Sequence, residues 1–149
     1  MLLLRSHLSY NRRRSAQEGQ MGKKILIVDD DSDLVESTSA FLVSRGYTTV
    51  SASNGTEGLA MLEQEKPDLI VLDMMMDQRG DGFLFSRKMR KEPAFQKTPI
   101  IMLTGMRQAT GFHFLTEDPR HPTFLPVDEF MEKPADLEEL ARRVARLIG

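Results

Sequence analysis

Cysteine is absent from the 149 residues, which excludes a disulfide framework, a thiolate metal site and a cysteine nucleophile together. The absence fits a reducing cytosol, and a cytoplasmic protein is expected. Long apolar runs are missing as well. The uninterrupted stretches are of strand length, and Leu2-Leu3-Leu4 is too short to cross a bilayer or to form a signal-peptide core, so no membrane association is expected. No strand is followed by a Gly-Lys-Ser/Thr or Gly-x-Gly-x-x-Gly loop, which disfavours nucleotide binding. Positive charge is scarce where the chain should fold. Residues 1–20 hold Arg5, Arg12, Arg13 and Arg14 against Glu18 alone, leaving 16 basic and 21 acidic side chains for the remainder. An acidic body lacks the basic stripe that a phosphate backbone requires, so the folded domain is not expected to bind nucleic acid.

What is present suffices for one core. A chain of this length with 40% hydrophobic residues builds one ordinary domain and not two. The arginine-rich start is polar and aperiodic, the character of a disordered arm. Glu18-Gly19, shortly before Met21, is a pair that a purine-rich stretch resembling a ribosome-binding site can encode. Residues 1–21 therefore read as a disordered basic leader or a non-native extension, and 22–149 as the domain.

From Lys23 onward, short β-branched runs alternate with helical patterns and turn residues, the signature of βαβ units and of a parallel sheet covered on both faces. Ile25–Asp29 reads as the first strand. Asp31 or Ser32 can cap a helix with Leu34, Thr38, Phe41, Leu42 and Arg45 at helical spacing, stopped by Gly46. Tyr47–Ala52 follows as a strand. Asn54-Gly55 then opens a helix carrying Leu59, Met61 and Leu62, which ends before Pro67. Asp68–Asp73 is a third strand, Phe83–Lys91 a helix with Phe83, Leu84 and Met89 inward, and Pro99–Thr104 a fourth strand. Between Thr104 and Lys133 the helical period fails, with a short strand near Glu129–Met131. Asp136–Ile148 is the clearest helix, with a stripe of Leu137, Leu140, Ala141, Val144, Leu147 and Ile148, and with acids early and arginines late to suit its dipole.

Open sheets of this kind bind ligands outside the carboxyl ends of their strands. Asp29, Asp30, Asp73, Thr104 and Lys133 all fall at such ends. Two like charges about 4 Å apart repel by about 4 kcal/mol at an effective dielectric near 20, so three clustered carboxylates call for a cation. The oxygen set of Asp29, Asp30 and Asp73 suits Mg²⁺. A carboxylate can also accept a phosphoryl group, while a threonine hydroxyl and a lysine ammonium suit its oxygens.

Taken singly, each of these residues is more often a helix cap or a turn residue. Taken in order, Ile-Leu-Ile-Val-Asp-Asp at 25–30, Leu-Asp-Met-Met-Met at 72–76, Ile-Met-Leu-Thr-Gly at 101–105 and Glu-Lys-Pro at 132–134 resemble the receiver domain of bacterial two-component response regulators, over nearly all of 23–149. The resemblance implies a doubly wound, five-stranded parallel sheet of the flavodoxin-like receiver fold, with an irregular region in place of much of the fourth helix. It implies that Asp73 is the phosphoacceptor and that Asp29 and Asp30 are Mg²⁺ carboxylates. The Met75 backbone carbonyl would be a further ligand, Thr104 and Lys133 would attend the phosphoryl group, and Phe130 would be a rotating aromatic switch. A packed core phenylalanine is the plain alternative for Phe130. The implied phosphoryl donor is a sensor histidine kinase or phosphotransfer protein. The downstream target stays unidentified, and homodimer formation is left open. With the last helix ending at Gly149, a stand-alone receiver or relay intermediate is expected, not an enzyme but a module that assists its own phosphorylation and dephosphorylation.

The chain departs from the pattern in places. Asp77 stands where a proline is usual, the loop to Gly82 is one residue long by comparison, and the segment after Met106 is extended. Met75 and Met106 occupy positions that tune hydrolysis of the acyl phosphate; as neither is acidic nor an amide, a long-lived phosphoryl group is expected. His113 and His121 beside Glu117 and Asp118 lack metal-ligand spacing and read as loop histidines. Two other functions compete. One is a receiver-like adaptor acting without phosphorylation. The other, an aspartyl-phosphate phosphatase of the haloacid dehalogenase kind, needs a second aspartate where Met75 stands.

Overall fold

The computed structural model describes residues 22–74, 81–105 and 126–149. Five strands, β1 (Lys24–Val28), β2 (Thr48–Ala52), β3 (Leu69–Asp73), β4 (Ile100–Thr104) and β5 (Glu129–Glu132), form one parallel sheet in the order β2-β1-β3-β4-β5. Helices α1 (Ser32–Ser44), α2 (Gly55–Glu65), α3 (Asp81–Lys91) and α4 (Leu137–Ile148) accompany them, with a 3-10 turn at Pro93–Phe95. This is the doubly wound flavodoxin-like arrangement expected from the sequence. Met75, Asp77, Met106, His113, Glu117, Asp118 and His121, with the leader and most of the expected irregular region, lie outside the described residues.

The central strands are continuously apolar because helices cover both sheet faces. Leu26, Val28, Ile70, Leu72, Ile100 and Met102 pack with Leu62, Phe85, Met89 and Phe95 on one face. Their alternates Ile25, Ile27, Leu69, Val71, Ile101 and Leu103 pack with Leu42, Leu140 and Val144 on the other. Each such side chain contributes about 1.5–3 kcal/mol relative to exposure. Slipping a strand by one residue would exchange the two sets, so the register is firmly specified.

Local chemistry sets the helix ends. Asp31, Asn54 and Asp136 each accept from a backbone N–H three residues on, Leu34, Glu57 and Glu139 respectively, satisfying donors that the first turn leaves orphaned. Gly46, at φ 99°, ends α1 as expected.

One expectation requires correction. Leu84 points outward and is 52% exposed, whereas Phe85 is buried. The reason lies on α2, where Gly58 has no side chain and the Phe85 ring approaches: a Cβ there would meet Phe85 Cε2 at 2.9 Å. Met89 is buried as expected, and the Phe83 side chain lies outside the described set. Phe41 and Arg45, at helical spacing on α1 as expected, meet at the surface. Arg45 caps α1, lies 4.7 Å over the Phe41 ring and pairs with Glu138 at 3.1 Å, linking α1 to α4 at the surface.

At the amino-terminal sheet edge, an aspartate just before a strand satisfies a neighbouring strand's first N–H. Asp68 accepts from Lys24 N at 2.7 Å, and Asp128 accepts from Ile100 N at 2.8 Å. Asp128 also receives Arg90 Nη2 at 3.1 Å, while Arg90 donates to the carbonyls of Phe95, Thr98 and Pro126 at 2.7–3.0 Å. Burial pulls the Arg90 guanidinium below the ordinary arginine value, against the opposing pull of Asp128. One side chain thus ties α3 to the approaches of β4 and β5. Arg90→Met is expected to cost about 2 kcal/mol by leaving these acceptors unpaired, and Arg90→Lys should recover little, because an ammonium lacks the planar fork. Denaturant melts of the three proteins check this.

Tyr47 is 4% exposed, and its hydroxyl finds no partner among the described residues. Burial accordingly pushes the phenol pKa up. Tyr47→Phe keeps the ring in the core and removes the unsatisfied group, so a gain of about 1 kcal/mol in thermal or denaturant stability is expected.

Candidate functional site

Strand order reverses between β1 and β3: β1 leads to β2 on one side, and β3 pairs β4 on the other. The crevice at that reversal is where an open parallel sheet accepts ligands. Val28 pairs with Leu72, so Asp29, just past β1, stands beside Asp73, the last residue of β3. Both carboxylates are buried, at 3% exposure each, while Asp30 is exposed. Carboxylate oxygens of Asp29, Asp30 and Asp73 lie within 4.8 Å of one another.

Lys133 follows β5 and reaches back across the sheet edge. Its N–H donates to the Thr104 carbonyl at 2.6 Å, which fixes the backbone from which the side chain departs. Its Nζ lies 3.2 Å from Asp29 Oδ2 and 3.2 Å from Asp73 Oδ1. Burial pulls the ammonium pKa down, but Asp73 and Asp29 outweigh it and hold the group above the ordinary lysine value. The other Asp29 oxygen, Oδ1, accepts the Asp31 N–H at 3.0 Å. Asp29 is therefore oriented at both oxygens, by a contact to Asp31 that no sequence pattern signals.

Thr104 ends β4 and is 1% exposed, and its Oγ1 has no hydrogen-bond partner among the described residues. An unsatisfied buried hydroxyl costs about 1–3 kcal/mol. Such a group calls for a partner outside the described residues. Phe130 lies on β5 opposite Met102 and is 37% exposed, not packed in either core.

The structure therefore brings Asp29, Asp30, Asp73 and Lys133 together and sets Thr104 on the adjacent strand end. Met75 falls outside the described residues. The oxygen set fits a hard divalent cation: among the described residues, three carboxylates against the ammonium of Lys133 leave a negative excess in a partly buried crevice, and carboxylate oxygens are the donors Mg²⁺ prefers. Chemically, the cluster offers a buried carboxylate, two more carboxylates beside it that could hold a cation, and two donors for anionic oxygens.

Comparison with known proteins agrees. Residues 25–145 match the family model described as response regulator receiver domain. The chain is 33% identical over 125 residues to the DNA-binding dual master transcriptional regulator RpaA of Synechocystis, covering 84% of this chain and 48% of that protein. It is 35% identical over 128 residues to the alkaline phosphatase synthesis transcriptional regulatory protein PhoP of Bacillus subtilis, covering 86% of this chain and 49% of that one. The chain thus spans about half the length of these relatives. Among solved structures, the chemotaxis response regulator CheY4 of Vibrio cholerae superposes with a TM-score of 0.67 at 26% identity, covering 84% of this chain and 98% of that one. No helix among the described residues is long and apolar enough to cross a membrane.

Proposed function

The chain belongs to the response regulator receiver domain family, and from that premise we propose that residues 22–149 act as the phosphoacceptor of a two-component phosphorelay, with Asp73 as the accepting residue. The observation that carries this reading is the double contact of Lys133 Nζ, 3.2 Å from both Asp29 and Asp73, beside a Thr104 hydroxyl that has no partner among the described residues. An acceptor site needs a held carboxylate, a positive charge and a donor in waiting, and these residues supply all three.

In the reaction, an Asp73 carboxylate oxygen attacks the phosphorus of a phosphohistidine on a sensor kinase or phosphotransfer protein. The phosphorus–nitrogen bond breaks as the oxygen–phosphorus bond forms, and the histidine, which already carries a proton on its other ring nitrogen, leaves as the neutral imidazole. Asp29 and Asp30, with Asp73 and the Met75 carbonyl, would hold Mg²⁺, which supplies neutralisation of the crowded oxygens. Lys133 pairs with the Asp73 carboxylate beforehand and then donates to the new phosphoryl group. Thr104 moves to donate its hydroxyl to the phosphoryl group, and that movement makes room for Phe130 to change its exposure. The altered surface then selects a downstream protein target. The module assists its own phosphorylation and dephosphorylation without turning over an external substrate.

Incubation with acetyl phosphate, with and without Mg²⁺, tests the reading by intact mass. One phosphoryl group per chain, dependent on Mg²⁺, is expected. Absence of any response favours the adaptor that works without phosphorylation, and many turnovers of a phosphate ester favour the phosphatase. Because Met75 and Met106 are neither acids nor amides, they would place an attacking water poorly, and the phosphoryl group should persist for minutes or longer. Loss of label within seconds contradicts this part.

A further inference from the structure

Helix α3 starts against the backbone of the acceptor itself. Gly82 is buried, and a Cβ built on it would lie 2.3 Å from the carbonyl oxygen of Asp73 and 2.9 Å from both Cα and the carbonyl oxygen of Met74. All three atoms are backbone, with no rotamer to change. The contrast with Gly58 is informative, because there the atoms met are side-chain atoms of Phe85 and Val28, the nearest at 2.9 Å, and a ring can turn aside. Gly82 φ lies outside the left-handed region, so this glycine is required for space and not for a turn.

We propose that Gly82 is a positioning residue for Asp73: its missing side chain lets the first turn of α3 abut the Asp73–Met74 peptide and so fixes where the Asp73 carboxylate stands. The inference rests on the acceptor reading above. Restoring ordinary contact around a Cβ at position 82 requires a backbone shift of about 1 Å. Helix α3 cannot readily supply it, since Phe85 and Met89 are buried in the core and Arg90 is bonded to four groups beyond the helix. Strand β3 is laddered to β1 as far as Leu72 and to β4 as far as Asp73, so its last residue is held by a ladder on one side. The carboxyl end of β3 is the piece that yields, although Met74 N–H holds it to Leu103 O at 3.0 Å. That end carries the carboxylate whose oxygen lies 3.2 Å from Lys133 Nζ, a contact that a shift of this size breaks.

The test compares Gly82→Ala with Gly58→Ala, a second close-packed glycine whose added Cβ would meet side-chain atoms of Phe85 and Val28 instead of the Asp73–Met74 backbone. Two readouts are taken on the whole chain: the rate of phosphorylation by acetyl phosphate at saturating Mg²⁺, and the ¹³C resonance of the Asp73 carboxylate without metal. Gly82→Ala is expected to slow phosphorylation on the order of 100-fold and to move the Asp73 resonance. Gly58→Ala should leave both near the wild-type values even where it lowers the melting temperature. If Gly82→Ala shows no cooperative melt, both readouts are taken in a stabilising osmolyte. A wild-type rate with an unmoved resonance in folded Gly82→Ala overturns the inference, as does an equal effect in both variants. A wild-type chain that takes no phosphoryl group refutes the acceptor reading instead.

Discussion

Asp73→Asn is expected to reduce Mg²⁺-dependent phosphoryl incorporation to background while leaving a cooperatively folded chain. The substitution keeps the volume of a residue that is 3% exposed, so packing around the end of β3 is undisturbed. It removes the nucleophilic oxygen, for which a neutral amide is no substitute. Stability is governed by opposing electrostatic terms. The neutral amide relieves repulsion with Asp29 and Asp30, whose oxygens lie within 4.8 Å, and it gives up the ion pair with Lys133 at 3.2 Å. Each term is a few kcal/mol at an effective dielectric near 20 and they carry opposite signs, so the net change should stay within about 2 kcal/mol. Intact-mass labelling beside a denaturant melt reads both. Undiminished labelling of Asp73→Asn would show that another side chain accepts the group.

The sequence made the sheet legible because burial on both faces leaves strands that are apolar without interruption, as in Ile25–Val28 and Leu69–Leu72. It also made legible the strand-end placement of Asp29, Asp73 and Thr104, since each follows or closes such a run. Helix faces were harder where apolar residues crowd together. Leu84 and Phe85 are adjacent, and which one turns inward is decided by the space at Gly58, some two dozen positions away. Arg90 gave no signal at all, because its acceptors include carbonyls, which every residue carries, and two of its partners lie 36 and 38 positions along the chain. The meeting of Lys133 with Asp29 spans 104 positions. No periodicity predicts that meeting; it followed from resemblance to a family and is recovered here from strand order and register. Gly82 shows the same limit: its sequence context reads as a loop signal, and only the approach of the Asp73 carbonyl gives it a reason.

Lys133→Met separates the structural from the chemical part of the site. Without metal, Lys133 is, among the described residues, a cation in contact with two carboxylates whose side chains are 1% and 4% exposed. Removing one partner of a buried ion pair leaves the other charge uncompensated, which costs about 3–5 kcal/mol when burial is complete. Lys133 is itself 26% exposed, and water screens part of the interaction, so a loss of about 3 kcal/mol is expected. Methionine retains most of the apolar stem, so the loss reports charge and not packing. The sign of the metal effect then follows. Mg²⁺ stabilises any state it binds preferentially, and in Lys133→Met it meets no competing ammonium at Asp29 and Asp73. The rise in melting temperature on adding Mg²⁺ should therefore be larger for Lys133→Met than for the wild type, although the variant starts lower. Phosphorylation should still fall, since the ammonium that meets the phosphoryl oxygens is gone. A variant as stable as the wild type without metal, or one that gains less from Mg²⁺, would mean that the two carboxylates do not depend on Lys133 for their charge balance.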